Sequence, residues 1–580
     1  MRHALRFVAH RARMRALARP QGPHTEKNLP VCDAHAQKRM TSSCYKPRSR
    51  TKAAHLSHGD RPARASNDNS NAGFREVGLP MRDLIKQVDA GLQAHDEFGN
   101  SQQIVRLNVE RYRFALAVLA REDAALQALL PALEALDERR ADKLFGDLLV
   151  RAELEAAIER LETGVAPIHQ AGVLAWSLAQ SLQRIDQPLS LSASAMQRSF
   201  VAGPDLDGRR IWIWDLPDAS EPVADALREA LRLGFMPGGH CEAELVRPTP
   251  QMVAQLDRAC SLLQSLVPQV ARSVFGHLHS VAFANMRNER GPMLTASGGD
   301  STPCMIFIAP EELANPWDTA VHIMHEAVHL KLSDMVRTSA AVVREDMVTL
   351  PWGREISVSN CLFAFHAYVH LQIFRTAVEQ IGPQLHALYG APESYRAATR
   401  PHAMSVVNNA SAAPFSRGHE RMAYLAQQFR TQWSHYLTPY ARRMVDWLCA
   451  AIAPLIDLSV APQAGAVGEP APVAASAPTT SVHYAKNPQL QLRPVGDRGI
   501  LFAADPARPK IQKLNTAAWL MFELCDGRSE SDLTQAYADL AGLASERAWQ
   551  QVEPVLDSLV ATGMIVAQGQ RAALREGRAA

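Results

Sequence analysis

The chain has 580 residues and a mass of 63.6 kDa, which sets an expectation of two to four domains. With 47% hydrophobic residues, 21% charged residues and a formal net charge of +2, it can bury a substantial core, and no overall field points to a nucleic-acid or membrane partner. Eight cysteines without a CxxC argue against a disulfide scaffold, a zinc ribbon or a cysteine-ligated iron–sulfur cluster, and no apolar run approaches the length of a transmembrane helix.

The charge is unevenly spread. Residues 1–80 hold 16 Lys+Arg against 5 Asp+Glu, and the remainder holds 45 against 54. The first twenty residues are basic and Ala-rich but lack the apolar core and cleavage signature of a secretory signal, so a cytoplasmic location is expected. Residues 1–78 read as a largely disordered basic arm. A transit-like or nucleic-acid-binding arm fits the same composition, and so does a start placed too far upstream, with Met81 as the true one.

Residues 82–164 repeat apolar positions at three and four and are rich in Ala, Leu and Glu, which predicts three or four helices, one broken or started by Pro131. A helix is expected at 168–184 and a strand at 209–217. Helices follow at 221–232 and 248–276, and short strands at 280–286 and 304–309. The segment GPMLTASGGDSTP between those two strands reads as turns. Long helices are expected from near Asp318 and over 357–386, 416–431 and 436–456. The Ala/Pro/Gly/Ser/Thr stretch at 461–480 is a linker. Beyond it, about ninety residues predict strands and turns, then three helices and a last small hydrophobic edge. The fold class is therefore mainly α with small β elements (α+β) up to 460, with a separate α+β domain over 481–570.

The sharpest local signal is His325-Glu326-Ala327-Val328-His329. Residues i and i+4 share a helix face, so two imidazoles can reach one divalent ion, with Glu326 beside a metal-bound water or an orienting partner. Unrelated histidines on a surface helix would give the same string, but apolar Ile323, Met324, Val328 and Leu330 argue for a buried site. His322 shares the face and is a candidate outer partner. A third ligand is required. The metzincin extension is excluded, because Leu330–Met335 carries no Gly or His at the needed spacing. Glu345 and Glu355 are available, but neither lies in a clear second-helix pattern. His366 and His370, one turn apart on the apolar helix SVSNCLFAFHAYVHLQIF, are better placed, though either could be a core histidine bonded to a carbonyl.

The segment from Pro303 to Phe374 resembles the HExxH-type peptide modification proteins of ribosomal-peptide biosynthesis. The matching parts are the strand Cys304–Ala309, the His325–His329 helix, Pro351-Trp352-Gly353-Arg354 and the helix segment around His366. The resemblance implies an iron(II)/2-oxoglutarate-dependent peptide β-hydroxylase, a dioxygenase using dioxygen, with iron on His325, His329 and a downstream histidine placed at His366, His370 being the alternative. Glu326 is then an orienting or proton-accepting group. Gly353, between Trp352 and Arg354, departs from the family pattern. The carboxylate of 2-oxoglutarate calls for an arginine fork, for which Arg354 is the first choice and Arg337 the second.

The last ninety residues resemble the PqqD-like peptide recognition elements, which are winged-helix-like. Pro488, the strand pair 491–503, Lys513-Leu514-Asn515, Ala518, Leu524-Cys525-Asp526-Gly527 and Leu559–Ile565 carry the likeness. It implies that the leader of a precursor peptide adds to a strand edge, with Leu492, Val495, Ile500 and Phe502 as the apolar side chains offered to it. No basic cluster on the third helix favours DNA. Two other functions fit the residues: a zinc peptidase with Glu326 as general base, and a non-enzymatic peptide-binding scaffold with a degenerate metal site.

Overall fold

The computed structural model describes residues 80–163, 171–201, 210–235, 241–288, 291–298, 302–343, 345–392, 415, 417–456, 458, 482–495, 500–505, 510–514, 516–541 and 545–568. The predicted arm at 1–78 and the linker at 461–480 lie outside these residues.

The first helical run holds five helices where three or four were expected: α1 (Met81–Ala94), α2 (Ser101–Leu119), α3 (Ala124–Glu134), α4 (Glu138–Phe145) and α5 (Leu148–Thr163). Asn100, Asp123 and Asp137 cap α2, α3 and α4 by accepting bonds from backbone amides of their first turns, which explains why one periodic stretch divides so often. Pro131 lies inside α3 rather than breaking it. With α6 (Ala171–Gln183), these helices enclose a core that includes Leu116, Phe145, Leu154 and Leu178.

Next come α7 (Leu191–Ala195), β1 (Arg198–Val201), β2 (Arg210–Ile213), α8 (Pro222–Phe235) and β3 (Cys241–Leu245). The expected helix over 248–276 is two helices, α9 (Pro250–Leu266) and α10 (Pro268–Phe275). Pro268 lacks an amide proton and forces Val267 out of the helical region, so the chain restarts there. The segment read as turns carries two short strands. β4 (Ser280–Asn288), β5 (Gly291–Met293), β6 (Thr295–Ser297) and β7 (Met305–Ile308) join β1–β3 in a seven-stranded mixed sheet ordered β1-β2-β4-β7-β6, with β3 and β5 paired to β4. Alternation along β4 and β7 sends Val281, Phe283, Ile306 and Ile308 to one core and Ala282, Ala284, Met305 and Phe307 to another, so the centre of the sheet is covered on both faces.

The first of those cores packs on α11 (Pro316–Thr338). After α11 come the hairpin β8 (Met347–Leu350) and β9 (Arg354–Ser357), then α12 (Val358–Glu379), α13 (Pro383–Tyr389), α14 (Gly418–Arg430) and α15 (Pro439–Ile452).

The C-terminal segment holds β10 (His483–Lys486), β11 (Gln491–Val495), β12 (Ile500–Asp505), β13 (Lys510–Leu514), α16 (Thr516–Leu524), β14 (Asp526–Ser529), α17 (Glu530–Ala541), α18 (Ser545–Ala561) and β15 (Ile565–Gln568). Two three-stranded sheets, β11-β12-β13 and β14-β10-β15, accompany the three helices. One face of β12–β13 gives Leu501, Ala503 and Leu514 to the segment's own core. The opposite face gives Phe502, Ala504 and Ile511 to the core of α2–α6. Phe502 meets Phe114 with ring centroids 5.8 Å apart, Arg493 pairs with Glu110 at 3.1 Å, and Lys513 Nζ donates to the carbonyls of Val336 and Arg337 at 2.6 and 3.0 Å. The small domain is therefore packed against the helical region, at the C-terminal end of α11. The overall class is mixed α+β, with a majority of helices and several small sheets. Among the described residues no helix is long and apolar enough to cross a membrane.

Candidate metal centre

α11 begins with Pro316 at its first position and Asn315 as cap, whose side chain accepts from the amides of Trp317 and Asp318. Twenty of its 23 residues are buried; the exceptions are His325, Ser333 and Val336. A helix buried nearly all round has no solvent face to spend on polar residues. His325, with 20% of its side chain exposed, is thus a window from the site to solvent.

His325 and His329 stand one turn apart, and their Nε2 atoms are 3.1 Å apart. Two nitrogens about 2.1 Å from one ion, at an angle of about 95°, are separated by this distance. His325 Nδ1 lies 2.9 Å from Glu326 Oε1, which also accepts the Thr295 hydroxyl at 2.8 Å. A carboxylate on Nδ1 keeps the proton there and turns the Nε2 lone pair outward, the arrangement that orients metal-binding histidines. Burial alone would raise the Glu326 pKa, but His325, His329 and the Thr295 hydroxyl outweigh it and hold the carboxyl at about 2. Burial, then the neighbouring His325, pull the His329 pKa down to about 3, so its ring is neutral at physiological pH and can ligate. The pair fits two positions on a divalent ion.

The third ligand is not gathered. Among the described residues no set of three His, Cys, Asp or Glu side chains stands close enough to hold an ion. His366 is fully buried on α12, and neither ring nitrogen has a hydrogen-bond partner. Burial first, then the charges of His370 and others including His329, drive its pKa well down, which places it in the same polar interior as the pair. His370 Nδ1 instead sits 2.8 Å from the His366 carbonyl, the bond of a core histidine satisfied by its own helix. Glu345 accepts from the Ser359 amide at 3.1 Å in the first turn of α12, and Glu355 is exposed on β9. Neither carboxylate is spent on the pair.

The remaining expected residues are placed elsewhere. His322 Nε2 is 3.0 Å from Glu312 Oε2, so it is tied to the 3₁₀ turn Pro310–Ala314. Arg354 is exposed at the start of β9. The Pro351-Trp352-Gly353 stretch is the hairpin turn before it, where Gly353 takes φ +74° and donates to the Leu350 carbonyl at 2.9 Å. That left-handed geometry favours glycine and accounts for Gly353 between Trp352 and Arg354. Trp352 packs on Phe415 and Tyr424 and lies under the Arg421 guanidinium.

Arg337 belongs to a buried ion network. Its Nη1 donates to Asp334 Oδ1 at 2.6 Å, and its Nε is 3.3 Å from Glu155. Arg111 grips both Glu155 oxygens at 2.9 and 3.0 Å, Tyr112 adds its hydroxyl at 2.6 Å, Arg151 contacts Asp334, and His277 Nδ1 is 2.6 Å from Asp334 Oδ2. A guanidinium so committed does not also anchor a 2-oxoglutarate carboxylate, and neither Arg354 nor Arg337 fits that role. Sequence reading passed over this network and Thr295. The signal for the network was present: Arg151, Glu155, Asp334 and Arg337 interrupt otherwise apolar helix faces at spacings of three and four. Thr295 carried no signal.

In the small domain, Leu492 is 43% exposed on β11, whereas Phe502 is buried against the helical region. Phe502 is thus an interface residue between the two parts, not a free peptide-binding side chain. The side chains of Val495 and Ile500 lie outside the described residues.

No protein-family model matches the chain, and no curated protein matches it.

Proposed function

We propose that the chain modifies a ribosomally made precursor peptide at a metal ion held by His325 and His329, and that the modification is an iron(II)/2-oxoglutarate-dependent β-hydroxylation. The observation that carries this reading is the use of Glu326. Its carboxylate is bonded to His325 Nδ1 and the Thr295 hydroxyl and is held at about 2, as burial is overcome by the two imidazoles. A general base works best near the operating pH; a carboxylate this acidic and this fully bonded suits an orienting acceptor better than a proton-abstracting one. A bound redox metal would supply the oxidative chemistry. The chain's own residues have narrower tasks. His325 and His329 present neutral Nε2 atoms, Glu326 fixes one ring, and the buried surroundings of α11 exclude water on all sides but that of His325. His366 is the residue proposed as third ligand, because it combines a buried ring with two unpartnered nitrogens.

The test is decarboxylation of 2-oxoglutarate coupled to a +16 Da product with iron(II), dioxygen and the cognate peptide. Peptide cleavage that survives zinc substitution and is lost in Glu326→Gln would replace this reading with the peptidase one. A His325→Ala protein that retained every activity would leave only a scaffold.

A further inference from the structure

β6 is the outermost strand of the large sheet on the side next to α11, and among the described residues only β7 pairs with it. Its hydrogen-bond parity is fixed by its ends. Gly298 donates to the Met305 carbonyl at 2.9 Å, and Ala309 donates to the Leu294 carbonyl at 2.8 Å. In an antiparallel ladder the residues that bond the partner alternate with those that face away. Leu294, Ala296 and Gly298 therefore bond β7, and the N–H and C=O groups of Thr295 and Ser297 point to the outer edge. Natural sheets usually blunt such an edge. The preceding strand β5 does so with Pro292, which has no N–H to offer; β6 does not. The unblunted residue Thr295 is also the one whose hydroxyl bonds Glu326, itself bonded to His325.

We infer that the outer edge of β6 is a docking rail for an extended polypeptide, which pairs antiparallel or parallel with Thr295 and Ser297 and so lays one of its residues beside the His325/His329 pair. The occupant is a peptide backbone, because the groups on offer are amide donors and carbonyl acceptors at strand spacing, whereas the nearest side chain is already spent on Glu326. This deepens the proposed function and rests on it for the site. It assigns the reacting segment of the substrate to the large sheet, separate from any leader contact on the small domain.

The test uses the full chain freed of metal, so that it reads binding and not oxidation. A synthetic library of fluorescent linear peptides of about nine residues is titrated against wild type and Ser297→Pro. The substitution removes one outward N–H and leaves the bonds to β7 intact, as an edge proline can. The expected result is a thermal midpoint close to wild type and a loss of about tenfold in affinity for the best binders, about 1.4 kcal/mol. N-methylation scanned along the best peptide should weaken binding at alternate residues, with a period of two, in the wild-type protein; this arm decides the matter even if Ser297→Pro does not fold. No binder in the library, equal affinity for both proteins, or N-methyl effects without alternation would overturn the inference. A peptide that docks on β6 but is never hydroxylated by the iron-loaded protein would remove the hydroxylase reading and leave the rail standing.

Discussion

One helix carries two polar sites of opposite character. At its middle, His325 and His329 face each other with neutral rings, one partly exposed, and His366 behind them keeps two nitrogens unpartnered. Two turns on, Asp334 and Arg337 meet Arg151, Arg111, Glu155, Tyr112 and His277 in a cluster whose charges are matched and buried. Burying ionised groups is tolerable only with such matching. The contrast separates two uses of polarity in a core: a satisfied network fixes how α2, α5, α10 and α11 meet, and an unsatisfied one keeps valence for a ligand.

The largest effects should come from breaking the matched site. Asp334→Asn or Glu155→Gln leaves buried arginines uncompensated and should cost about 3–5 kcal/mol in denaturant unfolding. Acid should reach the same end more gradually. Burial alone would raise the Glu155 pKa, but Arg111, Arg337 and Arg151 bring it to about 2, and similar forces, led by Arg151, hold Asp334 lower still. Their folded values are depressed, so the stability they add is present above the ordinary carboxylate range and is lost as pH falls from about 4.5 through 2.

At the unmatched site the same experiment should give the opposite pattern. His325→Ala should abolish iron binding in equilibrium dialysis while the unfolding midpoint of the metal-free protein shifts little. Thr295→Val removes only the hydroxyl on Glu326 and should lower metal affinity by roughly 10–100-fold, the range for outer partners of metal ligands.

Between the two lies Lys331, fully buried, donating to the Gly99 carbonyl and Ser273 hydroxyl at 2.8 Å each. Burial pushes its pKa down to about 7. The unfolded chain therefore holds a proton there that the folded chain releases, and stability should rise with pH between about 7 and 10. Compared with Lys331→Met, wild type should gain up to about 1.4 kcal/mol per pH unit across that window. The smallest effect is expected at Lys513→Met, about 1–2 kcal/mol for the lost bonds to the end of α11, read from the same unfolding curves.

What the sequence revealed follows from how local each signal is. The HExxH spacing, the long helices and the division of the C-terminal segment into strands and three helices are written in neighbouring residues, through periodicity, caps and turns. β5 and β6 were missed because strands of three residues in a segment rich in Gly, Ser and Thr have no alternation to detect; pairing with β4 and β7 makes them strands. Arg337 reads like a free cation until Glu155, far away in sequence, is folded onto it. Phe502 looked like a groove lining because an alternating strand shows which residues share a face but not what that face meets.

That last point bears on portability. The β11–β13 sheet gives one face to its own core and the other to α2–α6, so the small domain is less a cassette on a string than half of a joint. Exchanging it for a recognition element from another protein would transplant peptide choice only if the incoming strands also brought side chains of matching volume at Phe502, Ala504 and Ile511. A graft chosen by its binding edge alone would expose Phe114 to water and is expected to aggregate before its specificity can be measured.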